Sequence, residues 1–518
     1  RVRLRFRHVD YDARRIAIVT RHTATMPMHQ YVAVTNPLTA IGARLRKALP
    51  KERFARGVGV LAGGTVAVQL LAVLVAPVIT RLYTPADFGA VAVFAAVLAM
   101  IGVVSSLRYE LAIPLPESDS VAASVLWLCV LILLGVSALT AVGVAMFGDV
   151  AAALLETPIL AEFKWLLPIA VLLSGAYSIF NYWAIRQKSF ARITATRLGQ
   201  ALFTVSMQMA LFRWNAAGLL VASVVGQTIG TTSLARAALS SPVVRKLDWP
   251  GIGAAASRYR RFPVYSTWEG LANSVGLQAV PLLFAAMFGP AAAGLYALTS
   301  RVLSLPMSVV GGAIANVFLA SAPDAHRDGR LAGLVAALHG KLAHFGLPPM
   351  LVLAIAGPEL FQGAFGPNWR EAGMFARWMA PWLYFVFVSS PLSTLFAVLE
   401  QQAQGLIFQI VLVVSRVAAI AAGAWIGDVL TAVALFSIVS AVCWCGFLIW
   451  VARLSGNPAR TFIVPTLQAA WFGLACAFPL IAYLPFHALL DPTMWWVALG
   501  ISMVLLALRS LHLARDLY

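Results

Sequence analysis

Residues 121–147 read VAASVLWLCVLILLGVSALTAVGVAMF, twenty-seven positions without a charged side chain. A helix rises 1.5 Å per residue, so about 20 apolar residues cross the hydrocarbon core of a bilayer. The run is long enough to span. It is also continuous, whereas the strands of a membrane barrel alternate apolar and polar residues over about 10 positions. It therefore reads as a transmembrane helix.

Working outward from it, thirteen further apolar stretches meet the same criterion, giving spans at 57–80, 88–107, 121–147, 165–185, 194–213, 216–237, 263–288, 291–320, 343–365, 374–399, 404–426, 429–452, 462–485 and 493–509. The fold class is all-α and polytopic. Composition agrees: 61% of the 518 residues are hydrophobic and 11% charged. Soluble domains carry roughly 25% charged residues, which excludes both a soluble globule and a disordered chain. Cys129, Cys443, Cys445 and Cys476 fall inside apolar runs with no CxxC pair, so neither a disulfide framework nor a metal site is indicated.

The net charge of +18 would suggest nucleic acid in a soluble protein. In a membrane protein it reports topology, because cytoplasmic loops collect Lys and Arg. With a cytoplasmic N-terminus, thirteen basic residues lie in the tail 1–56 and eighteen more in cytoplasmic loops and the C-terminus, among them the stretches 186–197 and 236–261. Five lie on the opposite side: Arg81, Lys164, Arg213, Arg370 and Arg377. Both termini are therefore expected in the cytoplasm, with no nucleic-acid partner. The tail opens RVRLRFRH and is read as disordered with no dedicated role, the alternative being a basic arm that touches anionic lipid headgroups.

Charge inside a span is costly, about 2.5–3.5 kcal/mol on insertion scales, and so marks a cavity or a partner. Arg301, Arg416 and Glu269 are the deep charges. Tyr265, Glu269, Asn273 and Gly276 share one helical face, as do Arg301, Ser304, Ser308 and Gly312, and in the first span Thr65, Gln69, Ala72 and Ala76. These stripes are expected to face inward; the competing reading is packing of helices by small and polar residues. Two deep arginines against one glutamate suit an anionic ligand, since Arg grips phosphate oxygens with a planar fork. No GxxxxGK[ST], HExxH or GxSxG occurs, so neither an enzyme nor a built-in ATPase is expected, and no cofactor.

The chain also reads as duplicated. Pro85-Ala-Asp-Phe-Gly89 follows the first span, and Pro290-Ala-Ala-Ala-Gly294 follows the seventh. Phe147-Gly148 and Phe365-Gly366 are read as a second equivalent pair, closing the third and ninth spans. Six spans separate the copies, so they share an orientation, as in a parallel transporter repeat. The expected organisation is a tail 1–56, six-helix lobes at 57–238 and 263–453 around a central cavity, a cytoplasmic linker 239–262, and two extra helices in 454–518.

Several segments resemble bacterial polysaccharide flippases that move lipid-linked O-antigen and exopolysaccharide units. They are Arg81-Leu-Tyr-Thr-Pro-Ala-Asp-Phe-Gly89, Leu107-Arg-Tyr-Glu-Leu-Ala-Ile113, Asn181-Tyr-Trp183, Phe262-Pro-Val-Tyr-Ser266, Gly294-Leu-Tyr-Ala-Leu298, Arg301-Val-Leu-Ser-Leu-Pro-Met307 and Phe365-Gly-Pro-Asn-Trp369. The resemblance runs from about 57 to 453. It implies the multidrug/oligosaccharidyl-lipid/polysaccharide exporter superfamily, a bacterial inner-membrane location, and translocation of undecaprenyl-diphosphate-linked oligosaccharide by alternating access. Membrane lipids, a polysaccharide polymerase and a co-polymerase are the implied partners. On this reading Arg301, Arg416, Glu269, Tyr265, Asn273 and Gln69 contact substrate, and Arg108 joins them by its place in the family pattern; Glu269 doubles as a coupling acid. The alternatives are a cation-coupled small-molecule antiporter of the same superfamily and a membrane glycan polymerase or ligase. The two extra helices resemble those of peptidoglycan-precursor flippases.

Overall fold

The charge-free run forms most of helix α3 (Asp119–Leu154), whose first turn is capped by the Ser118 hydroxyl accepting from the Val121 amide. The computed structural model describes residues 53–304, 307, 311–399, 401–483, 485 and 491–515. The predicted basic tail, up to residue 52, lies outside the described residues, and so does Ser308.

Around α3 the described chain is helices and turns throughout, with no strand. In order come α1 (Arg53–Leu82), α2 (Pro85–Val104), α3, α4 (Leu166–Arg186), α5 (Phe190–Ala210) and α6 (Asn215–Leu239). A short helix α7 (Trp249–Arg258) follows, then α8 (Thr267–Leu303), α9 (Gly312–Arg327), α10 (Leu331–Phe365) and α11 (Arg370–Ser389). The chain continues through α12 (Gln402–Ile426), α13 (Val429–Leu454), α14 (Arg460–Tyr483) and α15 (Pro492–Arg515).

Eleven helical stretches among the described residues are long and apolar enough to cross a membrane. One of them, Phe262–Leu303, is 42 residues long and breaks at Gly289, where φ is +81°. The break divides two predicted spans, because glycine alone adopts that backbone without Cβ strain and Pro290 then restarts the helix. Within the predicted span 291–320, α8 runs to Leu303 and α9 begins at Gly312, and residues 305, 306 and 308–310 between them lie outside the described residues. Helices α5 and α11 are too polar to meet the apolar criterion. They carry Arg192, Arg197, Gln200 and Gln208, and Arg370, Glu371 and Arg377. Phe147 and Gly148 do not close a helix. The alanine run 151–153 carries α3 on to Leu154, whereas Gly366, at φ +107°, does end α10.

The signature after α1 has a local cause. Thr84 is the N-cap of α2, and Pro85 takes the first helical position. Asp87 returns an oxygen to the Thr84 amide at 2.8 Å while its own amide donates to Thr84 Oγ1 at 3.3 Å. This capping box satisfies amides that the helix cannot. Helix α2 then lies along α8, with Gly89 against Pro290 and Gly294 against Pro85. Pro85 opens α2 and Pro290 opens the part of α8 beyond the Gly289 break, so these two helical starts lie together. Helices α14 and α15 lie outside this arrangement, α14 along α10 and α15 on α14. His339 fastens α14: its Nε2 lies 3.1 Å from the Phe462 carbonyl and 3.2 Å from Thr466 Oγ1, and Thr466 is also 3.1 Å from the Tyr384 hydroxyl.

Candidate functional site

A cavity of about 500 Å³ opens among α1, α2, α4, α5, α6 and α8. Its polar groups are Thr65 and Gln69 from α1, Tyr177 from α4, Arg197, Gln200, Thr204 and Gln208 from α5, and Arg301 from α8. Apolar side chains such as Val75, Ile79, Phe88 and Leu298 complete the wall. Among the described residues, no carboxylate lines it. Arg197 Nη1 donates to Thr65 Oγ1 at 3.2 Å, joining α5 to α1. The Arg301 side chain is exposed to the cavity, and its guanidinium has neither an ion pair nor a hydrogen bond among the described residues. Two fixed positive charges thus face a low-dielectric space with no opposite charge in its lining, a setting that favours an anion.

Glycines let the α5 wall approach its neighbours. A Cβ on Gly226 would sit 1.9 Å from Thr204 Oγ1, and one on Gly64 would sit 2.1 Å from Thr194 Cγ2. Helices α6 and α1 therefore pack directly on α5, and its polar stripe is held at the cavity surface.

Beyond Ile79 and Phe88, which line the cavity, side chains tie α1 and α2 to the α10–α11 turn. Trp369 Nε1 donates to the Thr80 carbonyl at 2.8 Å, and its ring meets Phe88 edge-on at 4.9 Å. Arg81 Nη2 donates to the Gly363 carbonyl at 3.1 Å. The α1–α2 turn is thereby bolted to the α10–α11 turn.

Of the residues selected from sequence, the structure brings Arg301 and Gln69 to the cavity. Tyr265, in the helical turn before α8, and Glu269 and Asn273 of α8 lie exposed, outside the lining of this cavity. Arg416 is engaged within the second half of the chain: Nε donates to Ser440 Oγ at 3.0 Å, and the guanidinium lies 5.0 Å from the Trp382 ring and 5.4 Å from that of Phe436. Cation–π contact and a hydrogen bond satisfy that charge without a ligand.

Arg108 is placed by a left-handed backbone, φ +62°, in the turn after α2. Its guanidinium covers Gly270 of α8, where a Cβ would lie 3.0 Å from Nε. The neighbouring Glu110 is buried and accepts a hydrogen bond from Ser106, and the Tyr109 hydroxyl donates to the Ala256 carbonyl of α7 at 3.1 Å. The Arg-Tyr-Glu segment therefore joins the α2–α3 turn to the linker and to α8.

Sequence reading missed Arg197, Gln200, Thr204 and Gln208. Their spacing of three, four and four residues is the same helical signal that exposed the α1 stripe.

A many-spanned helical bundle around an internal polar cavity is the architecture of a membrane transporter. A family model described as polysaccharide biosynthesis protein matches residues 78–373. The succinoglycan biosynthesis transport protein ExoT of Rhizobium meliloti (strain 1021) is 25% identical over 402 residues, covering 74% of this chain and 76% of ExoT. Among solved structures, the lipid II flippase MurJ in an inward closed conformation aligns with a TM-score of 0.70 at 12% identity, covering 88% of this chain and 99% of MurJ. An inward-facing MATE family multidrug resistance transporter of the MOP superfamily aligns with a TM-score of 0.60 at 12% identity, covering 76% and 94%. The chain belongs to the polysaccharide biosynthesis protein family, and it shares the multi-pass fold of these transporters.

Proposed function

We propose that this transporter moves undecaprenyl-diphosphate-linked oligosaccharide from the cytoplasmic to the periplasmic leaflet, working by alternating access between lobes 57–238 and 263–453. The observation that carries the reading is the cavity with Arg197 and Arg301 in its wall and no carboxylate among its described lining residues. A diphosphate is a dense anion that matches two guanidinium forks. Gln69, Gln200, Thr65, Thr204 and Tyr177 supply neutral donors and acceptors suited to sugar hydroxyls. The prenyl chain stays in lipid, because burying it in a polar cavity would forfeit its apolar environment.

Both termini are cytoplasmic in this proposal, and the Trp369–Thr80 closure is the periplasmic gate. Translocating a negative charge outward is favoured by an inside-negative potential, at about 2.3 kcal/mol per charge per 100 mV. A polymerase and a co-polymerase would take up the delivered unit. An exporter of cationic small molecules would want the opposite sign in the cavity.

The test is a substitution series at Arg301, each variant matched for membrane level. Arg301→Ala is expected to abolish glycan export. Arg301→Lys should rescue in part, since a point charge lacks the bidentate fork. Arg301→Gln keeps a polar side chain without the charge and is expected to stay inactive. Full export by the Gln variant would sink the diphosphate assignment.

A further inference from the structure

Residues 240–261, between α6 and the helical turn that opens α8, carry two faces of unlike chemistry. One is buried. Val244, Ile252 and Ala255 sit in the apolar cluster built by α3 and α4, Trp127 Nε1 donates to the Val244 carbonyl at 2.8 Å, and Tyr109 holds Ala256. The other is exposed and mixed. Leu247 and Trp249 are 45% and 61% exposed, and around them stand the exposed basic residues Arg245, Lys246, Arg258, Arg260 and Arg261. Asp248 is the one acidic residue in the segment. Arg245 Nε is fixed to the Leu239 carbonyl at the end of α6, 2.8 Å away, which holds its charge beside a membrane-spanning helix.

Both ends of the segment enter spans, so it cannot leave the membrane surface. An exposed leucine and tryptophan there meet the headgroup zone rather than bulk water, and indole rings prefer that zone. Five basic side chains against one acid then select the sign of the lipid, because polybasic segments next to a membrane draw anionic headgroups within a Debye length.

We propose that this inter-lobe segment is a binding surface for anionic phospholipid, with Leu247 and Trp249 inserted among the headgroups and Arg245, Lys246, Arg258, Arg260 and Arg261 on their phosphates. It holds the α7 side of the molecule to the bilayer independently of what the central cavity carries. The ligand is the lipid surface, not free phosphate and not a nucleic acid.

The basic residues are themselves trypsin sites, which gives a direct readout. The full chain is placed in nanodiscs of phosphatidylcholine alone or of phosphatidylcholine with phosphatidylglycerol. Cleavage at 245–261 is timed relative to cleavage at two exposed basic residues, Arg327 at the end of α9 and Arg330 just before α10. Anionic discs should slow linker cleavage several-fold relative to that reference, and high salt should remove most of the protection. Leu247→Gln with Trp249→Gln should weaken the protection while leaving every charge in place. Glycerol phosphate or RNA added to neutral discs should not protect. Equal relative cleavage in the two discs would overturn the proposal. So would protection by glycerol phosphate or RNA in neutral discs, which would make the segment a soluble-anion or nucleic-acid site. Both faces of a nanodisc are accessible, so the outcome does not depend on the orientation or substrate proposed above.

Discussion

Gly89 and Gly294 occupy reciprocal positions, each facing the carbonyl of the proline that opens the other's helix. A Cβ on Gly89 would lie 1.7 Å from the Pro290 oxygen, and one on Gly294 would lie 1.9 Å from the Pro85 oxygen. The two Pro-x-x-x-Gly segments recognised as a repeat in sequence are therefore also each other's packing partners. The glycines are required by close approach rather than by backbone angle, since both sit in helical conformation.

Alanine at either glycine should consequently force α2 and α8 apart. Overpacking of this kind costs about 1–3 kcal/mol. Gly89→Ala and Gly294→Ala are each expected to lower thermal stability in detergent. The double variant should lose less than the sum, because the first displacement makes room for the second methyl. Strict additivity would show that the two contacts are independent.

The Trp369–Thr80 contact, proposed above as the periplasmic gate, gives a second prediction. Trp369→Phe keeps an aromatic ring against Phe88 and removes the 2.8 Å bond to Thr80. A neutral hydrogen bond contributes about 0.5–1.5 kcal/mol net, enough to shift a two-state ratio severalfold. With a cysteine at Ala76, in the cavity wall, an impermeant thiol reagent outside the cell should label the Phe variant several times faster than the parent. An unchanged rate would mean that other contacts hold the gate.

Glu110 supplies a pH dependence. Burial pushes its carboxyl above the ordinary carboxylate range, against the smaller opposing pulls of the Ser106 hydroxyl and Arg108. The folded protein thus holds this proton more tightly than the unfolded chain. Its contribution to stability is full below the unfolded value of about 4.3, and is lost as pH rises through the raised folded value. Glu110→Gln keeps an acceptor for Ser106 and has no charge to desolvate. The parent should lose stability as pH rises across that window, and the Gln variant should not. Parallel stability–pH curves for the two proteins would refute the assignment.

The fold was legible because bilayer thickness imposes a length on apolar runs, and α3 or α13 contain little else. The site was legible only in part. Arg301 and Gln69 stood out because a polar residue inside an apolar helix has no cheap lipid-facing position. Arg416 stood out for the same reason, but what satisfies it, Ser440, Trp382 and Phe436, comes from α11 and α13 and carries no local sequence signal. Arg197 was hidden by its neighbours: with Arg186, Lys188 and Arg192 just before it, it read as the last charge of a cytoplasmic loop, whereas helix α5 had already begun at Phe190.

Arg197 therefore gives the last prediction. It has two visible roles, a 3.2 Å bond to Thr65 that ties α5 to α1 and a positive charge on the cavity surface. Thr65→Val removes the first and leaves the second, whereas Arg197→Gln removes the charge and retains a side chain able to donate to Thr65. If the charge serves the substrate, Arg197→Gln should cut export by about tenfold or more, the scale of a charge-assisted bond of about 1.5–3 kcal/mol, and Thr65→Val should cost much less. Arg197→Lys should fall between, as a point charge without the fork. Combining Arg197→Lys with Arg301→Lys should cost less than the product of the two single losses, because both guanidiniums would grip one diphosphate. Export is read in cells at matched membrane level. A defect in Thr65→Val as deep as that of Arg197→Gln would make Arg197 a strut between α5 and α1 rather than a contact for the ligand.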